Sequence, residues 1–411
     1  MRMRVLLVGV GTVGEAIARM ASQREWCEQM VLADYDLERA AALQRELADA
    51  ARFPVERIDA RDSGAVARLA RRHQSSLVMN AVDPRFVMPL FDGALAANVD
   101  YMDMANSLSR PHPSQPFRRP GVKLADEQLA KAGAWEAAGR LALIGMGMDP
   151  GLSDVFARHA ADTLFDEVDE VHVRDGGDLH IPGFAFAPVF SIWTTIEECL
   201  NPPVIWQDGD WHTTEPFSAP EEFPFPEGIG PVECVNVEHE EVLLVPRWLP
   251  GVKRVTFKYA LGSDFIEKLK FLHDIGLDRV EPVRVRGVDV SPRDVVAAVV
   301  PDPITMGDKM VGRAIVGTWV IGRKDGQLRE VFLYQMADAA ETLRTTGSQV
   351  VGWQTGFNPV LAMELLATGA WSGSGVLGPE AFDAAPYLAL MDRYGIHHDM
   401  IEMQPGAHRP T

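Results

Sequence analysis

Residues 5–14 read VLLVGVGTVG, a continuous apolar run that breaks at Gly9, Gly11 and Gly14, and the stretch MVLADYD brings the carboxylate of Asp34 20 residues after Gly14. This is the spacing of the glycine turn that seats a dinucleotide. The three glycines do different things. Gly9 permits the sharp turn, Gly11 lets backbone approach a pyrophosphate, and Gly14 allows the following helix to pack on the strand. Thr12 and Val13 complete the turn, and the N-terminus of the helix offers N–H groups and partial positive charge to the phosphates. Asp34 is placed to bind a ribose 2′-OH and to repel a 2′-phosphate, which favours NAD; Arg39, on the helix that follows, keeps NADP open.

These residues need a strand, a turn and a helix in sequence, and the chain around them supplies that rhythm. A helical stretch follows near 37–50, then a strand around VERIDA, a helix in SGAVARLARRH and a strand in SLVMNAV. A short strand in NVDYMDMANSL ends at Asp103. Ligands of a doubly wound parallel sheet lie along the carboxyl ends of its strands, so Asp59, Asn80 and Ala81 fall where they could border adenine and ribose. Asp59 reads equally well as a solvated turn residue.

The chain of 411 residues is long enough for two domains with sizeable cores. We place a dinucleotide-binding Rossmann domain at 1–130, a substrate-binding and dimerisation domain at 131–350, and a C-terminal segment, 351–411, that returns toward the first domain. Between 150 and 350 the runs VDEVHVRDGG, EEVLLVP, KRVTFKYA and RAIVGTWVIGRKDG read as strands, and the Asp-Gly of RKDGQL marks a hairpin turn. The second domain is therefore expected to be α/β with a mixed or mainly antiparallel sheet. Its exposed edge would need covering, so self-association as a homodimer is expected.

A net charge of -19 without a basic cluster argues against nucleic acid as a partner. No apolar stretch reaches the length of a membrane span. Cys27, Cys199 and Cys234 lie far apart, which disfavours a disulfide framework and a zinc site and makes a reducing cytoplasm the expected location. The histidines form no metal-binding spacing, so no metal is expected; His397 and His398 fall in a C-terminal segment read as mobile.

The run LVMNAVDPRFVMPLFDGALAANVDYMDMA resembles the saccharopine dehydrogenase-like oxidoreductases, in which an Asn-Ala turn, a proline-started helix and a Tyr-x-Asp strand end follow one another. GMGMDPGLSD, IEECLNPP, VTFKYALG, VSPRDVVAAVVPDP, WQTG and GVLGPEAF extend the resemblance over nearly the whole chain. It implies NAD(P)-linked chemistry at a carbon–nitrogen bond of an amino acid, polyamine or opine-like compound. Saccharopine reductases, lysine 6-dehydrogenases and carboxynorspermidine-forming enzymes are among such relatives. A lysine 6-dehydrogenase-type oxidative deaminase and a non-catalytic NAD(P)-binding sensor stand as alternatives.

Such a reaction needs a group that takes or gives the proton of the nitrogen. Asp103 and Asp149 are the acidic candidates, each following a strand-like run on the cofactor side; Asp149, in MDPG, could also cap the helix that follows. Lys258, inside the apolar strand of TFKYALG, is the cationic candidate for a substrate carboxylate, with an outward-facing role as the alternative. Gly176 and Gly177 would let backbone approach the substrate, Thr194 would contact it, and Trp193 could wall a pocket around an aliphatic amine or simply fill the core. Thr194 and Glu197 also fit a capping box, Arg293 reads as exposed behind the Ser291–Pro292 helix start, and Cys199 reads as a buried structural thiol.

Overall fold

The computed structural model describes residues 2–406. Six strands alternate with helices in the first third of the chain: β1 (Met3–Val8), β2 (Cys27–Asp34), β3 (Val55–Arg57), β4 (Leu77–Asn80), β5 (Asp100–Met102) and β6 (Leu141–Leu143). The second half contributes β7 (Glu167–Gly177), β8 (Val204–Gln207), β9 (Asp210–Thr213), β10 (Glu221–Phe225), β11 (Gly230–Asn236), β12 (Arg254–Tyr259), β13 (Val283–Val285), β14 (Val288–Val290), β15 (Arg313–Lys324) and β16 (Gln327–Asp338). Near the end come β17 (Gly375–Leu377) and β18 (His398–Glu402).

The first sheet is parallel, in the order β17-β6-β5-β4-β1-β2-β3. Its central strands are buried on both faces, which is why VLLV and LVM read as unbroken apolar runs. β6 lies beyond residue 130, yet it pairs with β5, and β17 completes the edge from the far end of the chain. The second sheet is mixed, in the order β10-β11-β12-β7-β15-β16-β18 with β8 and β9 appended to β12; β12 and β7 run parallel and the other pairs antiparallel. The hairpin turn stands at Asp325–Gly326, both with positive φ (52° and 74°), as a tight two-residue connection requires.

Two elements depart from the sequence reading. EEVLLVP is a helix, Glu241–Trp248, and not a strand. Residues 241–245 are all buried, so the run carries no alternation to tell one element from the other, and packing against β12 decides. His398 is in β18, paired with Gln335, so this part of the C-terminal segment is an edge strand. WQTG opens a 19-residue helix, Val350–Thr368, buried on nearly all sides, which lies along the helix Thr12–Ser22.

Candidate active site

A cleft of about 800 Å³ runs from the glycine turn, across the carboxyl ends of β4 and β5, to the end of β7. At one end stand Gly11, Thr12 and Val13. A Cβ on Gly9 would fall 2.5 Å from the Ala81 carbonyl oxygen, and one on Gly14 would fall 2.0 Å from the Gly9 oxygen, so both glycines are set by packing. Gly11 differs: a Cβ there would meet nothing within 4 Å, and no side chain caps the helix it opens. Open space in front of uncapped N–H groups fits a pyrophosphate.

The middle of the cleft is bordered by Asn80, Ala81, Asp103 and Asp149. Asn80 donates to the Tyr101 hydroxyl at 3.0 Å and accepts from the Val82 N–H at 3.1 Å, which holds the β4 turn open. Asp103 accepts from the Gly145 N–H and from Gln128, each at 2.7 Å. Full burial pushes its carboxyl up to about 7 against those bonds.

The far end is acidic. Asp149, Asp175 at the end of β7, Glu198 on the helix Ile192–Leu200, and His239 all line it. Gly151, at φ 135° with its Cβ position 2.0 Å from the Gly147 oxygen, closes the tight turn that carries Asp149. The three carboxyl groups face the interior of the cleft and not open water, so burial dominates: Asp149 is raised well above its ordinary value, Asp175 to about 7 and Glu198 to about 8. Asp149 Oδ2 is buried with no hydrogen-bond partner among the described residues. Burial opposes the charge on His239, but Glu241, Glu240 and Asp149 outweigh it and hold the ring protonated well above its usual value. The ring lies flat on Phe257, 3.6 Å between centroids, and its Nδ1 is 2.6 Å from Glu241 Oε2. Among the described residues no three His, Cys, Asp or Glu side chains are grouped to hold a metal ion.

A dinucleotide turn opening onto a pocket of titratable groups is the layout of a nicotinamide oxidoreductase. Residues 5–143 match the saccharopine dehydrogenase NADP binding domain, and residues 147–396 match the saccharopine dehydrogenase C-terminal domain. The chain belongs to the saccharopine dehydrogenase family. It is an NAD(P)-dependent oxidoreductase acting on a carbon–nitrogen bond. Within the family it is 28% identical to the carboxynorspermidine synthase of Vibrio cholerae over 98% of both chains. It is 27% identical to the carboxyaminopropylagmatine dehydrogenase of Synechocystis over 96% of both. The fold is that of the apo saccharopine dehydrogenase (L-Glu forming) of Saccharomyces cerevisiae, with a TM-score of 0.68 at 15% identity over 98% of this chain and 100% of that one.

Not every residue singled out from the sequence reaches the cleft. Lys258 neither lines the cleft nor faces water: its ammonium is buried 2.8 Å from Glu221 and 2.6 Å from the Ala219 carbonyl oxygen, beside Arg174. A buried cation is tolerated because a carboxylate stands next to it. Asp59 is exposed and tied to Arg61 at 2.7 Å, away from the cleft. Asp34 is buried just behind the glycine turn, where Oδ2 accepts from the Val10 N–H at 2.7 Å and Oδ1 from the Asp36 N–H at 2.8 Å. Its neighbour Tyr35 and Arg39 line the cleft instead.

Gly176 and Gly177 line the cleft, but strand packing also demands them: their Cβ positions fall 2.8 Å from the Phe225 ring and 2.1 Å from the Arg313 oxygen. Trp193 lines the cleft, with the guanidinium groups of Arg85 at 4.3 Å and Arg293 at 4.6 Å from its ring centroid. Ser191, and not a Thr194–Glu197 box, caps the helix, because Ser191 Oγ accepts from the Thr194 N–H; Thr194 itself lines the cleft. Glu197 is left to pair with Arg293, which is buried, not exposed. Asp149 does not cap the next helix; Asp154 accepts from the Gly151 N–H there at 2.7 Å. Cys199 is a free, buried thiol.

The sequence reading missed Asp175, Glu198 and His239. Asp175 stands directly before the two glycines already noted, and Glu238, His239, Glu240 and Glu241 form a charged run set against the apolar VLLV, which was the available signal.

Proposed function

We propose that the chain catalyses the NAD(P)H-dependent joining of a polyamine or diamine nitrogen to a carbonyl carbon, giving a secondary amine that carries a carboxylate. The observation that carries this is the acidic end of the cleft. Asp149, Asp175 and Glu198 face one another there with His239 as counter-charge, and Asp149 Oδ2 lacks a partner among the described residues. Burying like charges costs roughly several kcal/mol unless a cation or protons relieve them, and a substrate ammonium would do so. The names of the relatives from Vibrio cholerae and Synechocystis both denote carboxyl-bearing amines, which supports the same substrate class.

Gly11, Thr12 and Val13 would hold the pyrophosphate, and the bound reduced nicotinamide would supply the hydride. The protein's part is to place a free amine next to the carbonyl and to exclude water. Asp103 serves this reading by fixing the β5 turn beside Asp149 and not by titrating the substrate, since both its oxygens accept hydrogen bonds within the fold. A homodimer in the cytoplasm completes the proposal. The exposed valines of the β13–β14 hairpin, Val283, Val285 and Val288, support self-association, and three free cysteines suit a reducing compartment.

The test is an absorbance assay at the nicotinamide band with NADPH or NADH, pairing diamines and polyamines with carboxyl-bearing aldehydes or oxo acids. Turnover that requires both partners supports the proposal. Turnover of a single amine with release of ammonium, and none with the pairs, would replace it by oxidative deamination.

A further inference from the structure

We propose that His239 is the acid of this reaction, donating its proton from Nε2 to the hydroxyl that must leave when amine and carbonyl have combined, with Glu241 as its positioning residue. This rests on the coupling reaction proposed above. The geometry is specific. Glu241 is anchored at both oxygens, Oε1 by the Ser153 hydroxyl at 2.8 Å and Oε2 by His239 Nδ1 at 2.6 Å. The face of the ring is pinned against Phe257. With Nδ1 committed, Nε2 is the ring nitrogen available to a ligand, and His239 lines the cleft beside Asp149, Asp175 and Glu198. A base held by an orienting carboxylate in this way is the arrangement that fixes a tautomer and favours the imidazolium.

The proton count closes. A free amine adds to the carbonyl carbon to give a carbinolamine. His239 gives a proton to the carbinolamine hydroxyl, the C–O bond breaks, water leaves, and the nitrogen lone pair forms the C=N bond of an iminium, leaving the imidazole neutral. A reduced nicotinamide bound at the glycine turn would supply the hydride that this iminium requires. The next substrate arrives as an ammonium, and Nε2 takes its proton, which frees the amine and restores the imidazolium. The groups facing His239 are Glu240, 3.7 Å from Nδ1, and Glu241 on its own segment, Asp149 from the turn after β6, Asp175 from β7, Glu198 from the helix Ile192–Leu200, and Tyr259 from β12. None of them is a cation that competes with the ring, and it is chiefly Glu241, then Glu240, that keeps it protonated against burial.

Two variants of the full chain, H239Q and E241Q, test this with an amine–carbonyl pair that the wild type turns over. Thermal melting and NADPH fluorescence titration establish that each variant is folded and loads the dinucleotide. For H239Q we expect kcat to fall by at least about 100-fold, with the isotope effect from NADPH deuterated at the transferred position collapsing toward unity, because dehydration then limits the rate. For E241Q we expect the alkaline limb of the kcat profile to move down by about one pH unit or more, since the ring loses its nearest negative charge. An H239Q enzyme with near wild-type kcat, a raised KM for the carboxyl-bearing partner and an unchanged isotope effect would overturn the assignment, making His239 a carboxylate-binding residue. An E241Q limb that stays in place would overturn it as well. If the wild type turns over no amine–carbonyl pair, the coupling reaction itself fails and His239 loses this role with it; turnover with normal H239Q behaviour removes only the role of His239.

Discussion

Asp34 carries two contacts within the fold beside the ribose contact expected of it. Its position after β2 suits a ribose contact, and its two carboxylate oxygens also accept from the Val10 and Asp36 N–H groups, so it braces the glycine turn from behind. Discrimination between the two dinucleotides is also open to side chains that line the cleft, among them Arg39, 3.6 Å from Asp302. An arginine at this place accommodates a 2′-phosphate. Arg39→Ala is expected to weaken NADPH about tenfold, ~1.4 kcal/mol, and to change NADH about twofold or less, as read by fluorescence titration. Equal weakening of both would show that Arg39 acts only by tethering Asp302.

Between elements, the closest constraint on the cofactor end comes from far along the chain. Gly352, in the first turn of Val350–Thr368, lets that helix touch the start of Thr12–Ser22: a Cβ there would lie 2.5 Å from Thr12 Cγ2 and 3.0 Å from the Thr12 oxygen. A threonine methyl and a backbone carbonyl have little room to yield, so the helices must separate, at a cost of about 1–3 kcal/mol. Gly352→Ala is therefore expected to lower the melting temperature and to weaken NADPH several-fold, because Thr12 opens the helix that faces the pyrophosphate. A variant that melts and binds like the wild type would show that the contact is slack. The same scale explains the misread run at 241–248. A stretch whose first five residues are all buried shows no alternation, and packing beside β12 makes it a helix, which in turn delivers Glu241 to His239.

At the scale of the whole molecule, the fold collects acids that it does not neutralise. Burial raises Asp103, Asp175 and Glu380 to about 7 and Glu198 and Glu238 to about 8, from ordinary values of 3.8 for Asp and 4.5 for Glu. Between those values the folded chain holds protons that the unfolded chain has released. Stability from these groups is thus complete below their unfolded values and is lost as pH rises through 7 to 8. Carboxylates shifted the other way, such as Glu221, lowered to about 2 beside Arg174 and Lys258 after burial is outweighed, contribute stability that is lost only as pH falls through the folded value. The melting temperature is accordingly expected to drop between about pH 5.5 and 8.5. A polyamine should restore it more at the alkaline end than at the acid end, since it replaces the missing protons. Differential scanning fluorimetry across that range checks both, and a melting temperature that rises with pH would contradict the burial of these acids.

What the sequence determined by itself is what depends on neighbours along the chain. The glycine spacing, the unbroken apolar strands, the Ser291–Pro292 helix start and the Asp325–Gly326 turn are each specified within a short local stretch, so the parallel Rossmann sheet, the mixed second sheet and the dinucleotide end of the cleft were legible. The acidic end was only half legible. Asp149 could be singled out by its turn, but its partners Asp175, Glu198 and His239 come from a strand end, a helix and a loop far apart in the chain that meet only in the folded protein. Lys258 failed for the same reason in reverse, since its partner Glu221 sits on β10 and sequence cannot tell a charge paired inside a sheet from one aimed at substrate. Periodicity reports the shape of an element, whereas the charge state and availability of a side chain depend on what distant elements bury around it, and that only the tertiary structure decides.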